Sequence, residues 1–242
     1  MAENGSVIVA DRLTKLFGSF AAIRDVSFEI PKGQVVAFLG PNGAGKSTTM
    51  KILTGFMAPT SGSARVMGLD VATNRQAVAR YVGYLPENGP LYGDMTPRAL
   101  LQFLGEARGL KGETLKKRID AVVRHCALEA VIGKAISKLS RGYRQRVGMA
   151  HVLLHEPQVL IMDEPTAGLD PNQIREVRHT IRNLGQEKTI MISTHILQEV
   201  EAVAQRVIFI HEGRIVFDGS VADFRKGGDM DAQFARLTEH AA

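Results

Sequence analysis

From Val7 to Phe28 apolar and polar residues alternate, with a break at Gly18, which is the period of two shown by half-buried strands. Gln34 to Leu39 is a short apolar run ending at a glycine, the pattern of a buried strand. Behind Gly45 the stretch Lys46 to Leu53 has helix-forming potential and is closed by Gly55, so strand, glycine loop and helix follow in order. From Pro97 to about Gly133 the period changes to about 3.6, with Leu100, Leu101 and Leu104, then Leu115, Ile119, Val122 and Val123, on helix faces. Strand and helix signals then alternate. Val159 to Met162 and Thr189 to Ser193 read as strands, and Gln173 to Leu184 and Leu197 to Ala204 as helices. Val207 to Ile210 and Ile215 to Phe217 predict a hairpin around His211, Glu212, Gly213 and Arg214.

This order predicts an α/β fold with a mostly parallel sheet, an antiparallel β subdomain at the start and a helical subdomain in the middle. In numbers, 1–242 is expected to be a single domain. About 7–96 and 136–224 form its core, about 97–135 the helical part, and 225–242 a polar, poorly ordered tail beyond Gly227 and Gly228. No internal repeat or low-complexity segment interrupts it. A chain of 242 residues, 45% of them hydrophobic, is long enough to bury such a core.

Composition narrows the function classes. No stretch approaches the roughly 20 apolar residues of a membrane-spanning helix. Met1 to Ser6 are small and polar, where a secretory signal has a basic start and an apolar run, so a cytoplasmic chain is expected. The single cysteine, Cys126, excludes an intramolecular disulfide and reads as a helix core residue. The net charge of +5 is scattered among 25 acidic residues, and Arg175, Arg178 and Arg182 at helical spacing read as a solvated helix face. Nucleic-acid binding is therefore not expected.

Gly40, Pro41, Asn42, Gly43, Ala44, Gly45, Lys46 and Ser47 fit G-x-x-x-x-G-K-[ST], placed after a buried strand and before a helix. The glycines let the chain curl so that successive N–H groups point inward at the positive end of the helix, a cradle for phosphate oxygens. Lys46 adds a point charge near the β- and γ-phosphates, Ser47 offers its hydroxyl to Mg²⁺, and Thr48 supplies one more donor. A chance glycine turn would lack that flanking context.

The strand Val159 to Met162 delivers Asp163 and Glu164 at its carboxyl end, where open α/β sheets place ligands. Asp163 suits a Mg²⁺ ion, held through water, and Glu164 suits the proton of an attacking water. Acidic turns after strands are common, so this pair gains its meaning from the phosphate loop. His195 follows the next strand in the same way and is assigned to sensing the γ-phosphate; alone it would read as structural.

Leu139, Ser140, Arg141, Gly142, Tyr143, Arg144, Gln145 and Arg146 resemble the signature sequence of the ABC ATPases, the nucleotide-binding domains of ABC transporters. Other elements of that family stand in order: Glu87 at the Q-loop position, Ala167 to Asp170 as the D-loop, and His195 as the switch histidine. The resemblance covers roughly Val7 to Phe224. It implies ATP as ligand with Mg²⁺, and two cassettes meeting head to tail with ATP between the phosphate loop of one and the signature of the other. It adds Ser140, Gly142 and Asp170 to the nucleotide contacts, Glu87 to the Mg²⁺ contacts beside Ser47 and Asp163, and Phe17 as the aromatic that stacks on adenine, ahead of Phe20. A physical reason accompanies the signature, because Ser140 is a good N-cap whose hydroxyl, with the Gly142 N–H, can face a phosphate.

Three departures from the family pattern stand out. Arg141 and Tyr143 give a variant signature, Glu87 replaces the usual glutamine with a negative charge, and Phe17 lacks a tyrosine hydroxyl. The GYLPE form of the Q-loop resembles ABC-2 type exporter cassettes, such as gliding-motility or copper-processing ones. The resemblance thus implies a subunit that powers an ABC membrane transporter from the cytoplasmic face, bound to integral membrane subunits. Its partner across the ATP would be a second copy or a related cassette. A soluble ABC ATPase acting on a ribosome or nucleic-acid complex is the alternative, but such proteins carry paired cassettes or a long coiled-coil insertion. A phosphate-loop kinase or GTPase leaves the signature unexplained, and no N-K-x-D motif is present. Asn88 to Gly93, with hinge glycines and the apolar Leu91 and Tyr92, is the expected docking segment for a short partner helix.

Overall fold

The alternation at the start of the chain becomes two long antiparallel strands, β1 (Ser6–Phe17) and β2 (Phe20–Pro31), turned at Gly18. With β4 (Ser61–Val66) and β5 (Leu69–Asp70) they form a sheet ordered β2-β1-β4-β5. The computed structural model describes residues 5–89, 91–226 and 229–239; Pro90 of the docking segment, the Gly227–Gly228 boundary and most of Met1–Ser6 lie outside them.

A second, six-stranded sheet has the order β10-β9-β3-β8-β7-β6. It comprises β3 (Val35–Leu39), β6 (Val82–Leu85), β7 (Val159–Asp163), β8 (Thr189–Thr194), β9 (Arg206–His211) and β10 (Arg214–Ser220). Pairings β9-β3, β3-β8, β8-β7 and β7-β6 are parallel, and only β10 runs against its neighbour. The β9–β10 turn is tighter than the four residues expected. Glu212 and Gly213 both have positive φ, the geometry that matches strand twist in a two-residue hairpin.

Side chains on the two faces of the central sheet enter different cores. Val36, Phe38 and Ile161 pack with Met50 and Leu53 of α1 (Lys46–Leu53) and with the antiparallel sheet. Ala37, Leu39 and Leu160 face the helical side, which holds α3 (Pro97–Ala107), α4 (Gly112–His125), α5 (Arg141–Leu153), α6 (Pro171–Leu184) and α7 (Leu197–Val203). Leu100, Leu115, Ile119 and Val123 fill the middle of that lobe, as their spacing predicts. A short α2 (Arg75–Tyr81) leads into β6. Cys126 caps α4 and is buried, and its thiol is pushed up to about 12 by desolvation, so it stays protonated and inert.

The tail is the main correction. Instead of poor order after residue 225, α8 (Val221–Lys226) is followed by a helix, α9 (Met230–Glu239). Met230, Phe234 and Leu237 recur at helical spacing and bring an apolar stripe onto the core, where the Phe234 ring meets Phe209 edge-on at 5.0 Å. Burial of that stripe orders residues whose overall composition is polar.

Candidate functional site

The carboxyl ends of β3, β8 and β7 lie side by side, and the loop or turn after each carries one group of the candidate site. After β3 the chain curls through Gly40 to Gly45 into α1. Gly43 and Gly45 have φ of 81° and 107°, where L side chains are strained. A Cβ on Gly45 would also stand 2.5 Å from Ile23 Cγ2 and 2.7 Å from the Ala22 carbonyl oxygen, so β2 and the loop close on each other only through glycine. No side chain caps α1, which leaves its first N–H groups to the loop cavity.

Lys46 is buried, and its ammonium donates to the carbonyls of Gly40 at 2.7 Å and Pro41 at 3.1 Å. Its third partner is Glu164 Oε1 at 3.4 Å. Ser47 and Thr48 are half-buried on the first turn of α1. Phosphate-loop lysine and strand-end glutamate, over a hundred residues apart in sequence, therefore meet as an ion pair shielded from water.

Glu164 follows β7 with φ of 47°, a left-handed conformation that a non-glycine residue keeps only where its surroundings enforce it. Its N–H donates to Ser193 Oγ at 2.9 Å, and the Ser193 hydroxyl in turn donates to Asp163 Oδ1. His195 Nδ1 lies 3.0 Å from Glu164 Oε2 and 3.1 Å from Oε1. Against an acceptor-only carboxylate that nitrogen carries the proton. Asp163 is buried and forms no ion pair among the described residues. Close by, the Tyr84 hydroxyl of β6 is buried with no hydrogen-bond partner, and burial, reinforced by the Asp163 carboxylate, pushes its phenol far above the usual range.

The other expected residues fall into two groups. Phe17 and Phe20 pair across the tip of the β1–β2 hairpin, the hairpin whose Ala22 and Ile23 abut Gly45. Phe17 is 49% exposed rather than a core aromatic, and the Lys15 ammonium covers one face of its ring at 5.4 Å. Glu87 is exposed in the turn after β6, on the rim of a groove of about 700 Å³ between that turn and α5. Among the described residues no three acidic, histidine or cysteine side chains gather as a metal site.

The signature lies at the start of α5, away from the phosphate loop. Ser140 caps the helix by accepting from the Tyr143 N–H at 3.3 Å. Gly142 is buried under α6, where a Cβ would stand 2.4 Å from Gln173 Cδ. Asp170 is the N-cap of α6 and accepts from the N–H groups of Asn172 and Gln173, a local task that involves no other part of the site. Gln145 Nε2 donates to the Pro165 carbonyl at 2.8 Å, which ties the signature helix to the turn after Glu164.

Sequence reasoning missed Ser193, Thr194 and Glu199. Ser193 stands opposite Asp163 in the β7–β8 register, so a signal existed once the two strands were paired.

The glycine cradle on an open α/β sheet defines a phosphate-loop nucleotide-binding protein. The ABC transporter family profile matches residues 23–167. A probable multidrug ABC transporter ATP-binding protein of Escherichia coli, YbhF, is 35% identical over 94% of this chain and 39% of its own length. The bacitracin transport ATP-binding protein BcrA of Bacillus licheniformis is 38% identical over 87% of this chain and 69% of that protein. Among solved structures, an ATP-binding subunit of an ABC transporter superposes with a TM-score of 0.86 at 29% identity, covering 96% of this chain and 99% of the other. The dimeric post-hydrolysis state of an ATP-binding cassette with ADP and phosphate shares the fold, with a TM-score of 0.80 at 23% identity over 88% of this chain and 98% of that one. The chain belongs to the ABC transporter family, as an ATP-binding cassette. It spans about two fifths of the E. coli relative. Among the described residues no helix is long and apolar enough to cross a membrane.

Proposed function

We propose that the chain is an ATP-hydrolysing subunit that powers a membrane transporter, of the ABC-2 exporter type, from the cytoplasmic face. The convergence of Lys46, Glu164 and His195 at the carboxyl ends of the central strands carries this reading, because it joins a phosphate-binding charge to a base and to the group that orients the base.

Gly40 to Thr48 bind the phosphates through backbone N–H groups, and Lys46 exchanges its loop carbonyls for phosphate oxygens. Phe17 stacks on the adenine with the face that Lys15 leaves open. Glu164 orients a water and takes its proton as the water oxygen bonds to the γ-phosphorus. The bond to the β-phosphate oxygen breaks, leaving ADP and phosphate. His195 keeps the Glu164 carboxylate turned toward that water and registers the γ-phosphate.

The residues fit Mg²⁺. Asp163 is a buried carboxylate with no cationic partner among the described residues, and a magnesium ion on phosphates needs only one or two protein ligands. Ser47 and Asp163 would hold the ion, with Glu87 at the rim, and the ion would neutralise charge on the phosphate oxygens.

Two chains close head to tail, with Ser140, Gly142 and Asp170 of one facing the ATP of the other. Capped helix α5 supports the first two, since its N-terminus opens to solvent at Ser140. The groove between the Glu87 turn and α5 receives a short helix of an integral membrane subunit, so the phosphate sensor and the docking surface adjoin. Lys51, Arg141 and Arg144 on its lining suit an acidic segment, and Phe56 and Tyr84 suit an apolar anchor.

The test is Glu164→Gln, which removes the base and spares the cradle. ATP binding stays and hydrolysis with Mg²⁺ drops at least about a hundredfold, the scale of a lost general base. Near wild-type turnover would reject the assignment.

A further inference from the structure

Behind the histidine lies a carboxylate that the proposed chemistry does not use. Glu199, in the first turn of α7, is 2% exposed. Its Oε2 accepts from the Thr194 hydroxyl at 2.5 Å, and the same hydroxyl oxygen accepts from the Ile196 N–H at 3.0 Å. The Thr194 carbonyl accepts from the Gly40 N–H at 3.3 Å. The residues on both sides of His195 are thus tied to one hydroxyl, and that hydroxyl is oriented by Glu199.

The arrangement is costly. Glu199 Oε1 is buried with no hydrogen-bond partner among the described residues, as is Arg178 Nε of α6. Burial pushes the Glu199 carboxyl above its usual range; the Thr194 hydrogen bond and the Arg178 charge pull it back, and the Glu164 charge adds to the rise. A carboxylate kept only to favour a helix N-terminus would lie exposed beside its own N–H groups, where it costs nothing. Glu199 instead spends its hydrogen bond on the turn that presents His195. A half-satisfied buried acid persists where the geometry it enforces is needed elsewhere.

We propose that Glu199 is a positioning residue which, through the Thr194 hydroxyl, sets the place where His195 holds its imidazole against Glu164. The inference rests on Glu164 and His195 acting in hydrolysis. The charge of Arg178, on α6, acts on Glu199 without a direct bond to it.

Four variants of the purified chain test it: Glu199→Ala, Thr194→Val, the two combined, and Glu199→Gln. ATP hydrolysis, ATP affinity, unfolding temperature and the His195 imidazole signals in ¹H–¹³C NMR are measured for each. Glu199→Ala and Thr194→Val each lower kcat about tenfold with ATP affinity held within about twofold, the pattern of a misplaced catalytic group. The combined variant is no slower than Thr194→Val alone, because that substitution already removes the hydroxyl through which Glu199 acts, together with its bond from the Ile196 N–H. Glu199→Gln, which keeps an acceptor oxygen, recovers kcat to within about threefold, and only it keeps the wild-type His195 signals. Multiplying losses, a glutamine as slow as the alanine, or unchanged kcat with a lower unfolding temperature would each overturn the proposal. Should the wild-type chain hydrolyse no ATP, the hydrolytic reading fails, while the His195 signals still decide whether Glu199 sets the turn.

Discussion

Glu164 and His195 meet across the carboxyl ends of β7 and β8, with the imidazole Nδ1 3.0 Å from Oε2, while Lys46 approaches Oε1 of the same carboxylate at 3.4 Å. The carboxylate is therefore held between the buried ammonium of the glycine loop and a side chain that is nearly half exposed. Removing the imidazole leaves only the ammonium, and the carboxylate settles on it. His195→Ala is expected to keep ATP binding and to lose hydrolysis by about ten- to a hundredfold, the scale of a lost orienting group. Steady-state kinetics beside equilibrium ATP binding check this; a rise in the ATP dissociation constant with unchanged kcat would assign His195 to binding alone.

Phe17, the residue proposed to stack on the base, is exposed at the tip of the hairpin that closes on Gly45. Phe17→Ala should weaken ATP binding by on the order of 1 to 3 kcal/mol, the worth of one aromatic–base stack. Binding of tripolyphosphate, which has no base, should change little. Equal losses for both ligands would point to Phe20 or to a disturbed loop.

How much was readable beforehand follows from the range of each signal. Gly40 to Ser47 is a local pattern, because the backbone turn and the helix start that it needs are encoded in eight adjacent residues. Asp163 and Glu164 were readable as the end of an apolar strand, and the central strands as short apolar runs. By contrast β4, with two serines and a glycine in six residues, and β5, with two residues, carry too little apolar pattern to register. The α9 stripe of Met230, Phe234 and Leu237 was present but outweighed by polar composition. Ser193 and Glu199 act on groups of other turns, so their roles appear only when the strands are paired. Asp170 shows another limit, since within one chain its carboxylate caps its own helix, and the part proposed for it toward nucleotide needs a second cassette.

Two half-buried histidines give the fold an acid-sensitive side. His151 and His155 of the α5 region are each pushed down to about 4, chiefly by burial, with the Arg108 cation adding to the effect. For His155 a hydrogen bond with the Val82 carbonyl opposes the fall. Their folded values lie below the unfolded value near 6.5, so the unfolded chain binds more protons between about 4 and 6.5. Stability is expected to be constant with respect to these two groups above that window and to fall as pH drops through it. Glu199, with its raised value, works in the opposite direction. Urea unfolding at pH 7, 6, 5 and 4.5 measures the slope, and His151→Gln with His155→Gln should flatten it. An unchanged slope in the double variant would assign the acid response to other groups.

The last prediction concerns the groove beside Glu87. Leu91 and Tyr92 were expected to form the docking surface together, but Leu91 packs against the core of the helical lobe. Leu91→Ser is therefore a stability mutation as well as a change to the groove lining, and Tyr92 is the exposed one of the pair. Tyr92 is 57% exposed and meets Phe103 edge-on at 6.2 Å. Phe56, 76% exposed just past α1, lines the groove with its ring 5.4 Å from Tyr84. Neither ring takes part in the phosphate loop, the Glu164 turn or the signature helix, so truncating both leaves the nucleotide site intact. Large exposed aromatics beside a groove are the usual anchors of an interface, where loss of one costs about 2 kcal/mol or more. Phe56→Ser with Tyr92→Ser should keep ATP binding and basal hydrolysis, yet lose recovery of the membrane subunit that co-purifies with the wild-type chain. A pull-down from detergent-solubilised membranes, run side by side with wild type and with Leu91→Ser, decides it. Unchanged recovery by the double variant would place the docking site elsewhere, and a lowered unfolding temperature confined to Leu91→Ser would confirm that the two neighbours serve different ends.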